Sequence, residues 1–149
     1  MTADADETEK QAIRDTIMTN YHEAHVRNDG ELFMRILHPE WRVFRIDSDG
    51  KLGIQDRSAY IGQYEAMKRK LDWGTEIYSI DVTGDFACVK LRIECSVVKC
   101  IDYLNMMKLD GRWWIVHKIA HANVKQRNSV SRTRLQEVVT RRRLWHLEQ

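Results

Sequence analysis

Asp102, His117 and His121 are the residues of this chain whose types and spacing best suit moving protons. Asp110-Gly111 is a strong signal for a two-residue hairpin turn. Counting back from that turn places Met106 opposite Ile115, Leu104 opposite His117 and Asp102 opposite Ile119. His117 and His121 then flank Asp102 diagonally on one face, roughly 7–8 Å away at the backbone and within side-chain reach. Leu104, Met106, Trp113, Ile115 and Ile119 share that face. A carboxylate among apolar neighbours is costly to bury ionised unless it is paired, and a histidine beside it is oriented and made a better base. Asp102 and His117 are therefore expected as a proton-transfer pair, acting at carbon next to a carbonyl or assisting loss of water. A structural role is equally open, with Asp102 tying the sheet together through His117, His121 or a backbone amide.

Tyr21 lies on the apolar stripe of the first helical segment, four residues before His25, where a phenol can donate to a developing oxyanion. Tyr60, Tyr64 and Trp113 are candidates for an aromatic pocket around a flat ligand. Ordinary core packing accounts for these rings as well. The expected ligand-binding set is Tyr21, His25, Tyr60, Tyr64, Met106, Trp113 and His121. Asp102, His117 and His121 could be drawn as metal ligands, but no His-Glu-x-x-His spacing or cysteine cluster supports this, so no metal site is expected. No glycine-rich phosphate loop and no Gly-x-Ser-x-Gly motif occurs, so neither a nucleotide cofactor nor covalent catalysis is expected.

The elements that must position these residues are readable in outline. Ile13, Ile17, Tyr21 and Ala24 recur at helical spacing between Thr8 and Asn28, with residues 1–8 expected to be disordered. A second helix, buried through Leu32, Phe33, Ile36 and Leu37, must stop near His38 because Pro39 disfavours helical geometry before it. Trp41 to Ile46 and Leu52 to Gln55 read as a hairpin around Ser48-Asp49-Gly50. Asp56 or Ser58 caps a third helix running to about Lys70, with Tyr60, Ile61, Tyr64, Met67 and Leu71 inward. From Trp73 the period becomes two. A Gly84-Asp85 turn sets Val82 opposite Ala87 and Ile80 opposite Val89, with Tyr78 on the same face. The strand Lys99 to Lys108 continues the Val89, Leu91, Ile93 face if the loop after Cys95 has an even length, although Val97-Val98 is poor turn chemistry.

One domain of ordinary size fits 149 residues with 43% hydrophobic and 31% charged content. No apolar run is long enough to cross a membrane, and no apolar stretch follows a basic start, so a cytoplasmic protein without membrane contact is expected. Three cysteines without a Cys-x-x-Cys pair read as free thiols. Residues 125–149 form a basic tail with Leu135, Val138, Val139 and Trp145 near one side, expected to be helical and to pack on a partner subunit or the domain. It lacks a reading motif, so nucleic acid is not the expected partner.

Several stretches together resemble a known superfamily: Tyr21-His-Glu-Ala with Asn28-Asp29, Leu37-His38-Pro39 before a strand, Ile80-Asp-Val-Thr-Gly-Asp-Phe-Ala87, and Asp102-Tyr-Leu leading through Lys108-Leu-Asp-Gly-Arg-Trp-Trp-Ile-Val-His-Lys118. In that order they resemble the nuclear transport factor 2-like superfamily, in its SnoaL-like or putative lumazine-binding branch, over residues 13–124. The resemblance implies an α+β, cystatin-like cone, with three helices of the N-terminal half on the concave face of a curved antiparallel sheet. It also implies a homodimer through the outer sheet face and a small apolar or aromatic ligand. Relatives include dehydratases, isomerases and cyclases that use pocket Asp, His and Tyr residues without a cofactor, and others that only bind or scaffold. A cofactor-independent lyase or isomerase is the expected function of a domain spanning residues 1–124, and a non-catalytic binding or scaffold protein the alternative.

Overall fold

A computed structural model describes residues 2–125; the expected tail helix lies outside the described residues. The chain opens with α1 (Ala3–Thr16), passes through a π-helical segment (Ile17–His22) and continues as α2 (Glu23–Arg27). The helix therefore starts at Ala3, where disorder was expected. Asp4 and Asp6 in its first turn complement the positive end of the helix dipole. Glu9 clamps it to the sheet, accepting from Lys108 Nζ and Trp113 Nε1, each at 2.7 Å. The Lys108 hydrogen bond, then that of Trp113, holds the Glu9 carboxyl below its ordinary range. The expected stripe Ile13, Ile17, Tyr21 and Ala24 is fully buried. Asn28, in the left-handed region at φ 53°, ends α2, and Asp29 caps α3 (Gly30–Ile36) by accepting from the backbone of Glu31 and Leu32.

Strands β1 (Leu37–Ile46) and β2 (Leu52–Asp56) form the expected hairpin. Asp56 accepts from the Ala59 backbone to cap α4 (Arg57–Ala66). That helix stops short of Lys70: Met67 is extended, and Asn28 Nδ2 donates to the backbone oxygens of Met67 and Arg69. The chain then makes an antiparallel meander of β3 (Gly74–Thr83), β4 (Phe86–Glu94), β5 (Val98–Leu109) and β6 (Arg112–Val124). All six strands form one sheet in the order β2-β1-β6-β5-β4-β3, with β1 parallel to β6. The fold is α+β, with the three helical regions of the N-terminal half packed on one face of the sheet. No described helix is long and apolar enough to cross a membrane.

Most of the expected register holds, with two interruptions. Val82 opposes Ala87 and Ile80 opposes Val89, but a shift between Ile77 and Ser79 then sets Ile77 opposite Leu91 and turns Tyr78 outward. The Ser96-Val97 turn is two residues long, and Asp102 opposes Leu91, so the inner face does run from β4 into β5. The second interruption is in β6. Leu109 opposes Arg112 and Met106 opposes Ile115, as the Asp110-Gly111 turn requires, but Asn105 then opposes His117 and Val116 is left over as a bulge. Beyond it Leu104 opposes Lys118 and Asp102 opposes Ala120, in place of His117 and Ile119.

Candidate functional site

Since side chains alternate along a strand, the bulge exchanges the two faces of β6 for the rest of its length. Lys118 turns into the protein beside Asp102, while His117, Ile119 and His121 turn out. The expected pairing of Asp102 with His117 and His121 on one face is thus corrected. His117 Nδ1 lies 3.0 Å from Asn105 Nδ2 on the outer face, and its ring packs against Phe44 at 5.0 Å.

Asp102 is 1% exposed and Lys118 4%. Lys118 Nζ stands 3.5 Å from Asp102 Oδ2 and donates to the hydroxyls of Tyr21, at 3.0 Å, and Tyr60, at 3.1 Å. Tyr21 donates to Asp102 Oδ2 at 2.5 Å. Burial first, and the negative charge of Asp102 second, push the Tyr21 and Tyr60 phenols above their ordinary range, so both act as neutral O–H groups. His25 Nδ1 lies 2.7 Å from the Tyr21 backbone oxygen, which can only accept, so that nitrogen carries the proton. In neutral His25, Nε2 then accepts from the Tyr60 hydroxyl 2.7 Å away. The Tyr64 hydroxyl lies 3.5 Å from that of Tyr60. The result is a chain of buried hydrogen bonds around one ion pair, drawn from β5, β6, α4, α2 and the π-helical segment. Only Asp102 Oδ1 within it is buried without a partner.

This network faces a cavity of about 920 Å3, well above the roughly 300 Å3 at which small-molecule sites begin. His25, Tyr60, Tyr64, Trp73, Asp102 and Lys118 line its buried part. Ile46 and Leu52, 79% and 65% exposed, mark its mouth. β1 pairs with β6 only as far as Phe44 opposite Ile119, leaving the β6 edge open beyond it, where Ala120, His121 and Ala122 line the cavity; His117, which is paired opposite Arg42, lines it as well. Tyr21 lies behind the wall and reaches the site through Asp102. Of the other expected residues, Met106 and Trp113 are buried on the inner face but outside the cavity lining. Trp73 is a residue that sequence reasoning missed; Lys118 falls on the opposite face with Tyr103 and Asn105 when the strand is counted without a bulge, and becomes a candidate only if the faces exchange. Among the described residues no group of three or more His, Cys, Asp or Glu gathers as a metal site.

Comparison with known proteins agrees with this architecture. The family model described as putative lumazine-binding matches residues 8–121. A solved NTF2-like protein of unknown function from Shewanella baltica OS155 is 22% identical, with a TM-score of 0.74 over 83% of this chain and 98% of that one. One from Silicibacter pomeroyi DSS-3 is 24% identical, with a TM-score of 0.70 over 84% and 100%. A ketosteroid isomerase-like protein from Erwinia carotovora atroseptica is 11% identical, with a TM-score of 0.59 over 78% and 96%. At these identities the structures establish the fold alone. No curated protein matches the sequence. With three quarters of its length matched by that model, the chain belongs to the putative lumazine-binding family, and it has the fold of the NTF2-like structures.

Proposed function

We propose that this protein is a cofactor-independent lyase or isomerase, of dehydratase, isomerase or cyclase type, that moves a proton in a small flat molecule bearing a carbonyl or hydroxyl group. The observation that carries this reading is Asp102 Oδ1, a buried carboxylate oxygen without a partner, on a residue that lines the cavity. Asp102 Oδ2 is held by Tyr21 and Lys118, which fixes the carboxylate while leaving Oδ1 to take a proton from the ligand. Lys118, backed by Tyr60, supplies positive charge where an enolate or alkoxide oxygen would develop. His117 has no part in this mechanism. The description of the family as lumazine-binding and the aromatic walls support a flat ligand.

A passive binding pocket is the second reading, favoured by Lys118 neutralising Asp102 within the site. Exchange of the α-protons of 2-tetralone in heavy water, followed by NMR, separates the two. The unsubstituted protein is expected to accelerate exchange, Asp102→Asn to lose about 100-fold or more, and His117→Ala to keep most of it. Asp102→Asn with undiminished exchange overturns the catalytic assignment, and binding of the ketone without exchange favours the passive pocket.

We also propose a homodimer through the outer sheet face. Its support is an apolar row that crosses four strands, Ile54, Phe44, Ile119 and Tyr103, each opposite the next in register.

A further inference from the structure

Buried polar atoms without partners are uncommon in native proteins and call for an explanation. Six side-chain atoms among the described residues have this status: Asn28 Oδ1, Trp41 Nε1, Gln63 Oε1, Trp73 Nε1, Arg92 Nε and Asp102 Oδ1. Two of them, on Trp73 and Asp102, belong to residues that line the cavity; the other four residues do not line it. The two are chemically complementary, since an indole N–H can only donate and a carboxylate oxygen only accepts.

Trp73 is also held in place by its neighbours. Asp72 accepts from the Ser96 backbone at 2.9 Å, tying this segment to the β4–β5 turn, and Gly74 opposes Glu94 in the sheet. The indole meets His25 edge to face at 5.8 Å between ring centres. Because Trp73 is fixed by these contacts, it loses little further freedom when a ligand binds, which favours specificity.

We propose that Trp73 is a specificity-determining residue, whose indole N–H donates to a carbonyl-type oxygen of the ligand while Asp102 Oδ1 accepts from a hydroxyl, N–H or acidic C–H elsewhere on it. The site thereby selects flat molecules that carry both a donor and a carbonyl acceptor over those that carry a donor alone. This rests on the cavity being a ligand site but not on Asp102 acting as a base.

Three naphthalene probes test it by fluorescence titration of the full chain: 6-hydroxy-2-acetonaphthone, 2-naphthol, and 6-hydroxy-2-isopropenylnaphthalene, in which a methylene group replaces the carbonyl oxygen. The ketone is expected to bind roughly fivefold more tightly than its isopropenyl counterpart, the worth of one hydrogen bond. Trp73→Phe is expected to abolish that ratio while changing 2-naphthol affinity by less than about twofold. Equal binding of ketone and alkene by the unsubstituted protein, or a ratio that survives Trp73→Phe, overturns the assignment and leaves proton transfer by Asp102 standing. The ketone–alkene comparison needs no variant, so it decides the matter even if Trp73→Phe fails to fold. Failure of every probe to bind overturns the inference together with the reading of the cavity as a ligand site.

Discussion

Lys118 carries a full charge into a part of the fold built largely from aromatic rings, and two phenols and one carboxylate make that tolerable. Desolvating an ion pair costs several kcal/mol and is offset only when the remaining donors and acceptors are satisfied. Lys118→Met would strand Asp102 as a lone buried charge. It is expected to destabilise the protein by about 3–5 kcal/mol in urea denaturation, and Lys118→Met with Asp102→Leu to recover a large part of that loss. A neutral Lys118→Met would mean that the two charges do not depend on each other. Tyr21, Tyr60, Tyr64 and His25 were visible as candidates because each sits on an apolar helical stripe. Lys118 was visible only as the fallback, since an uninterrupted count from Asp110-Gly111 puts it on the face opposite Asp102.

At the level of the element, the register of β6 turns on one residue, Val116. The sequence holds a trace of it: the more apolar set is odd-numbered at Trp113 and Ile115 but even-numbered at Ala120, Ala122 and Val124. A change of parity within one strand is what a bulge produces, but Trp114 and Val116 are apolar too, so the point of change could not be placed. Deleting Val116 would make the ladder regular and still leave Lys118 beside Asp102. Deleting Ile119 would turn Ala120 to Val124 onto the wrong faces. Thermal denaturation is expected to show the Ile119 deletion clearly less stable than the Val116 deletion; equal losses would mean that Val116 is not the extra residue. The helices and hairpin turns were legible because caps and Asp-Gly or Gly-Asp pairs act locally. The end of α4 depends on Asn28, remote in sequence, and was not.

At the scale of the whole molecule, the helices close one side of the sheet, and among the described residues nothing packs over its outer face. The row Ile54, Phe44, Ile119 and Tyr103 is apolar at the centre of that face, with the Asn105–His117 contact beside it. Sedimentation of the full chain is expected to show a dimer that Ile119→Asp converts to monomer without loss of helix or sheet signal. An unsubstituted monomer at micromolar concentration would refute the proposed pairing. At the far margin of the sheet, β3 pairs with no strand beyond β4 among the described residues, and the backbone groups of alternate residues along its ten-residue length face outward there. A straight rim of that length invites a strand of another molecule to add to it. The irregularity at Tyr78 breaks the row of outward amides near its middle, and Glu76 and Asp81 set negative charge on either side. The same local kink that turns Tyr78 out of the core therefore guards the protein against growing into aggregates from its open margin.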